Sequence, residues 1–127
     1  MSKTELPLAG KACFVLEDEF LIALDLQDVL EQAGAAVTCF ANADDALAAL
    51  EKGVAFHVAL LDVQLGGSSR TSHSVAAALS ERKIPFIFLT GMRRDVAQLA
   101  SYPDAPLLEK PYQQEALLAA IRTVLTR

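Results

Sequence analysis

The stretch Phe56-His57-Val58-Ala59-Leu60-Leu61-Asp62 is apolar throughout except for His57, and it ends on an acid. A strand without polar alternation is covered on both faces, as when it runs parallel to its neighbours in a sheet flanked by helices. The stretch is therefore read as a central strand over residues 56–61, with Asp62 as the first polar residue beyond it. Outward from it, apolar segments rich in Val, Ile, Phe and Leu alternate with longer segments of helical periodicity. That alternation is the pattern of βα units building a parallel sheet, and five strands and five helices are predicted.

The first strand is expected over residues 11–16. Phe20, Leu21, Leu24, Leu26 and Leu30 follow at near-helical spacing until Gly34 ends the helix as its C-terminal cap. Residues 36–40 read as a second strand. Asn42 is then placed to accept a backbone hydrogen bond as N-cap of a helix over 43–52, which Gly53 closes. Asp44 and Asp45 fall in its first turn, where the helix dipole favours acids. Residues 63–72, with two glycines and four hydroxyl residues, form a loop before a helix over 74–82. Pro85 opens a fourth strand over 86–89, and a helix over 95–100 follows. Pro103 and Pro106 bracket the turn into a short fifth strand, Leu107-Leu108. The last helix places Leu117, Ala120, Ile121 and Val124 on one face, with Arg122 and Arg127 towards its C-terminus.

A chain of 127 residues has the size of one folding unit; residues 1–9 read as an N-terminal tail and 10–127 as the domain. With 53% hydrophobic and 21% charged residues it can bury a core and is read as a compact soluble globule. Eleven basic against sixteen acidic side chains give a net charge of −5, and no Lys/Arg stripe offsets it, so nucleic acid is not an expected partner. No apolar run approaches the roughly twenty residues of a membrane span, and Met-Ser-Lys-Thr-Glu lacks a secretory profile, so a cytoplasmic location is expected. Cys13 and Cys39 fall inside predicted strands and read as small buried thiols. His57 and His73 lack neighbours at zinc-ligand spacing and read as structural.

Four polar positions each follow an apolar run: Glu17-Asp18-Glu19, Asp62, Thr90 and Lys110-Pro111. In an open parallel sheet the carboxyl ends of the strands share one edge, where ligands bind. Taken singly, such residues face water, cap turns or carry surface charge. Together on one edge, acids, a hydroxyl and a lysine suit phosphoryl transfer, because a carboxylate accepts a phosphoryl group only where the repulsion between anions is overcome.

With its elements in this order the chain resembles, from about Gly10 to Leu125, the receiver domain of two-component response regulators. Leu16-Glu17-Asp18-Glu19 matches the family's acidic pair and Leu60-Leu61-Asp62-Val63 its phosphoacceptor strand. Leu89-Thr90-Gly91 matches the switch hydroxyl and Glu109-Lys110-Pro111-Tyr112 the Lys-Pro turn. The resemblance implies an α/β, flavodoxin-like (βα)5 fold with strand order 2-1-3-4-5 and helices on both faces. It implies Asp62 as the nucleophile that takes a phosphoryl group from a histidine kinase or a histidine phosphotransfer protein. Glu17, Asp18 and Asp62, with the backbone carbonyl of Gln64, would hold Mg²⁺ or Mn²⁺, while Glu19 is a solvated neighbour. Thr90 and Lys110 would each bind a phosphoryl oxygen, and Gly91 would leave room for the group and a water. The side chains of Gln64 and Met92 would flank the site and tune hydrolysis. Such a domain catalyses its own phosphorylation and dephosphorylation and is not a turnover enzyme.

Many receivers carry Tyr or Phe on the fifth strand where this chain has Leu107, so the signal is expected to pass through rearrangement of residues 90–103 instead. Pro85-Phe86-Ile87-Phe88-Leu89-Thr90-Gly91 is also similar to the subgroup nicknamed FAT GUY after its Phe-Ala-Thr-Gly motif, whose partners are HWE-type histidine kinases and their relatives. Leu89 stands in place of its Ala, and its Tyr is missing from residues 92–95. A stand-alone receiver would act as a phosphorelay shuttle, a phosphate sink or a switched module for a downstream protein. A homodimer through the fourth helix, fifth strand and fifth helix is compatible with this, as is a buried Leu107. Haloacid-dehalogenase-type hydrolases also use an aspartate after a strand, but they need a second Asp two residues later as general acid, where this chain has Gln64. The remaining alternative is a phosphate-independent, pseudo-receiver interaction module.

Overall fold

The computed structural model describes residues 6–63, 72–91 and 101–126. Gln64, Met92 and the helix predicted over 95–100 lie outside the described residues. The elements are β1 (Ala12–Leu16), α1 (Phe20–Gln32), β2 (Ala36–Phe40), α2 (Ala43–Glu51), β3 (Val58–Asp62), α3 (Ser72–Glu81), β4 (Phe86–Thr90), β5 (Leu107–Glu109) and α4 (Gln114–Leu125). All strand pairs are parallel, and the order across the sheet is β2-β1-β3-β4-β5. This is the flavodoxin-like arrangement expected from the sequence.

Alternation along each strand divides the core into two layers. Cys13, Val15, Leu60, Ile87 and Leu89 pack on one face with Leu26 and Leu30 of α1 and Leu117, Ile121 and Val124 of α4. Phe14, Leu16, Ala59, Leu61, Phe86 and Phe88 pack on the other with Ala46 and Leu50 of α2 and Val75 and Leu79 of α3. β3 and β4 are buried along their whole length, which is why both read as continuous apolar runs.

β3 begins and ends two residues and one residue later, respectively, than the apolar run suggests, so Asp62 is its last residue rather than the first beyond it. Phe56 is apolar because its ring packs edge-on against Phe14, with centroids 5.1 Å apart. His57 stands in for a strand partner: its N–H donates to the Ala12 carbonyl at 2.9 Å, and its Nδ1 accepts from the Ala12 N–H at 2.9 Å. Thr90 is likewise the last residue of β4, and α3 starts at Ser72, two residues earlier than predicted.

The apolar series on α1 splits in two. Leu26 and Leu30 are buried, with Ile22 and Val29 packed beside them, whereas Phe20, Leu21 and Leu24 are exposed by 75%, 73% and 50%. At 3.6 residues per turn Leu24 lies about 160° around the helix from Leu26, so the two sets cannot share a face.

Gly34 ends α1 with φ +103°. A Cβ there would meet the backbone of Ala9 at 3.0 Å, because the N-terminal segment crosses at this point. Leu8, assigned by sequence to a tail, is fully buried beside Ala33 and Ala35, and its N–H donates to the Ala33 carbonyl at 2.8 Å. Asn42 caps α2 as expected, its side chain accepting from the Asp45 N–H at 2.8 Å.

Candidate functional site

Strand register gathers the candidate residues. Leu16 pairs with Leu61, so Glu17 and Asp62, one step further on each strand, leave the sheet side by side. Asp62 pairs with Leu89 and Thr90 with Glu109, and the Lys110 N–H donates to the Thr90 carbonyl at 2.7 Å. The ends of β1, β3, β4 and β5 thus bring all four sequence positions to one edge.

Lys110 Nζ lies 3.2 Å from Glu17 Oε1 and 3.3 Å from Asp62 Oδ2, bridging two buried acids. Glu17 and Asp62 are each 2% exposed and Thr90 is 1% exposed, whereas Asp18 faces solvent. The second oxygen of Glu17 accepts from the Glu19 N–H at 3.1 Å, so Glu19 contributes backbone while its side chain is exposed. Burial pushes Glu17 up to about 7, helped by its hydrogen bond to Asp62 and that group's charge, and opposed by the Glu19 N–H and Lys110. Burial alone would lower Lys110, but the charges of Asp62 and Glu17 outweigh it and raise the ammonium above its ordinary value.

One carboxylate oxygen from each of Glu17, Asp18 and Asp62 lies within 4.8 Å of the others. Three carboxylates, two of them desolvated, form an all-oxygen donor set that suits a hard divalent cation and no soft one. The fourth predicted ligand, the Gln64 carbonyl, lies outside the described residues.

Sequence reasoning did not single out Tyr112 as part of this neighbourhood. Burial raises its phenol to about 12, with further contributions from the charges of Glu17, Asp25 and Asp62. Its position two residues after Lys110 is the sequence signal that places it there. Cys13 and Cys39 are free thiols; Cys13 is buried as expected whereas Cys39 is only half-buried, and burial raises both, Cys13 to about 11. Beside the acids, a cavity of about 260 Å³ is lined by Glu17, Asp18, Phe20, Leu24 and Cys39 among others.

A parallel sheet in the order 2-1-3-4-5 with acids and a lysine at its carboxyl edge defines a class of α/β proteins that bind ligands at that edge. Residues 13–122 match the response regulator receiver domain, and the chain belongs to that family. Its fold is similar to that of a response regulator receiver protein from Sinorhizobium medicae, at 25% identity and a TM-score of 0.83, covering 91% of this chain and 94% of that one. The BeF3-activated receiver domain of DrrB is 25% identical with a TM-score of 0.74, covering 92% and 98%. The response regulator TrrA from Thermotoga maritima, solved in complex with Mg²⁺ and BeF, shares 20% identity and superposes with a TM-score of 0.78, covering 91% and 99%. No curated protein sequence matches closely enough to count as a relative.

Proposed function

We propose that the chain takes a phosphoryl group onto Asp62 from a phosphohistidine of a histidine kinase or phosphotransfer protein, and that it works as a single-domain shuttle, phosphate sink or phosphorylation-switched binding module. The observation that carries this reading is Lys110 held 3.3 Å from a nearly inaccessible Asp62 within a three-carboxylate cluster. An Asp62 oxygen attacks phosphorus, the P–N bond breaks, and the leaving imidazole nitrogen keeps the electron pair and is protonated. Lys110 is placed to exchange one carboxylate partner for a phosphoryl oxygen, and Thr90, at the end of the neighbouring strand, to donate its hydroxyl to another. Glu17, Asp18 and Asp62 would hold Mg²⁺ or Mn²⁺, with the Gln64 carbonyl as a further donor. The chemistry a bound cation supplies is relief of the repulsion between nucleophile and phosphoryl oxygens. Hydrolysis of the acyl phosphate returns Asp62 to its starting state, so the domain acts on itself and is not a turnover enzyme.

Phe20, Leu21 and Leu24 support a docking face for the donor. They form an exposed apolar strip on the first turns of α1, next to the acids and flanked by exposed Asp25 and Asp28. A helical donor with an apolar stripe and basic margins would suit that face and would bring its histidine to Asp62. The subgroup-like segment Pro85–Gly91 supports HWE-type kinases and their relatives as that donor. Among the described residues no helix is long and apolar enough to cross a membrane. The proposed place of action is the cytoplasm.

Intact mass after incubation with acetyl phosphate and Mg²⁺ tests the reading. One labile phosphoryl adduct is expected, lost in Asp62→Ala and with EDTA. A folded protein that takes up no phosphate would overturn it in favour of a phosphate-independent binding module.

A further inference from the structure

β4 carries Phe86, Phe88 and Thr90 at alternate positions, so all three face the same layer of the core. Four strand steps of about 3.3 Å set Thr90 about 13 Å from Phe86, at opposite ends of the strand. Tyr102, from the segment that leads into β5, packs along this row. Its ring lies 5.2 Å edge-on from Phe86 and 6.2 Å from Phe88, and His73 of α3 sits 5.9 Å away on another side. Phe86 and Phe88 are themselves edge-on at 5.3 Å. Leu107, which pairs with Phe88 across the sheet, packs beside Tyr102 against the same buried cluster. The aromatic ring that β5 lacks is therefore supplied by the segment before it.

Phe86 and Tyr102 also form the wall of a groove of about 440 Å³, bounded by Ser80, Lys83, Pro85 and Asp104. The groove opens at the amino end of β4, away from Asp62. Close-packed rings respond to displacement by changing their mutual arrangement rather than by compressing. A shift of Thr90 towards a phosphoryl oxygen at the carboxyl edge draws it away from its same-face neighbour Phe88 and frees space beside that ring, and Phe88 contacts the one ring of the row that belongs to a surface segment.

We infer that Tyr102 couples occupancy of the site at Thr90 to the groove at the far end of β4, by way of Phe88. This rests on the phosphoacceptor reading above. The chain has two tyrosines and no tryptophan, so 3-fluorotyrosine labelling of a Tyr112→Phe protein leaves Tyr102 as the single ring reporter. Mg²⁺ and beryllofluoride are the probe, and the resonance of bound beryllofluoride reports its uptake independently in the same ¹⁹F spectrum. On binding, the Tyr102 resonance is expected to move by several linewidths, and by less than half as much in Thr90→Ala. Reciprocity requires Tyr102→Leu to change beryllofluoride affinity, by about fivefold or more for a coupling of ordinary size. A Tyr102 resonance that stays still while beryllofluoride binds overturns the inference, as does an equal shift in Thr90→Ala or an unchanged affinity in Tyr102→Leu. Beryllofluoride that does not bind the unsubstituted protein at all removes the phosphoacceptor reading, and the inference with it.

Discussion

Glu17→Gln should reverse its effect on stability with pH. Glu17 rises from the ordinary carboxyl value of 4.5 to about 7 on folding, chiefly through burial. At about 1.4 kcal/mol per unit, ionising it in the folded, metal-free protein costs about 3 kcal/mol. The folded state holds the proton more tightly than the unfolded chain, so the penalty is absent below about pH 4.5 and complete above about 7. Glutamine keeps the shape and removes the charge, but one of its terminal atoms is a donor. It cannot accept from both Lys110 and the Glu19 N–H as Glu17 does, which costs about 1 kcal/mol. The variant should therefore be about 1 kcal/mol less stable than the parent at pH 4 and about 2 kcal/mol more stable at pH 8. Urea unfolding of both proteins in chelator at the two pH values measures this, and contributions from titrating groups that do not interact with Glu17 cancel in the difference. Saturating Mg²⁺ should shrink the parent's loss between pH 4 and 8, because a cation at the cluster stabilises the ionised form. A stability difference between variant and parent that does not change with pH would refute the reasoning.

Gly53 and Gly34 both sit at positive φ, but a Cβ meets open space at Gly53 and the Ala9 backbone at Gly34. Chemical denaturation should show Gly53→Ala costing about 1 kcal/mol and Gly34→Ala at least about 1 kcal/mol more. Lys83 holds φ +59° just beyond α3, a conformation that favours glycine, so Lys83→Gly should raise stability by about 1 kcal/mol in the same assay. Leu30→Ala empties a fully buried position and should cost about 3 kcal/mol, whereas Leu21→Ala, on the exposed face of the same helix, should stay within about 0.5 kcal/mol. The same Leu21→Ala protein should accept phosphate from acetyl phosphate at the parent rate and from a kinase more slowly, which a radiolabel transfer assay separates.

The strands and the site were legible for one shared reason. A strand buried on both faces must be apolar almost to its end, so the first polar residue that closes the apolar run of β1, β3 or β4 marks the sheet edge where chemistry sits. At β5, where Leu107 and Leu108 are only half-buried, the same rule marks Glu109, and Lys110 is the residue that follows it. What stayed hidden depends on partners far along the chain. The crossing of Ala9 over Gly34, and the burial of Leu8 that goes with it, has no local signature. His57 reads as a flaw in a strand, yet its ring completes the hydrogen bonding of Ala12, forty-five residues away. The bridge from Lys110 to Glu17 spans ninety-three residues.

The exposed apolar face of α1 bears most directly on function. Phe20, Leu21 and Leu24 obey helical spacing among themselves, and periodicity alone does not tell such a strip from a core face. The sheet can cover only one face of α1, and Ile22, Leu26, Val29 and Leu30 occupy it. Keeping a second apolar strip in water is unfavourable, and nothing in the packing of the fold requires it. Its place is also not arbitrary: Phe20 and Leu24 line the same cavity as Glu17 and Asp18. An apolar strip that touches the acidic pocket suits transient docking, since a donor needs to bury enough surface to orient its histidine and then leave after transfer. The two faces of α1 should therefore be separable by mutation, one moving the free energy of folding and the other moving the rate of phosphoryl transfer from a protein donor alone.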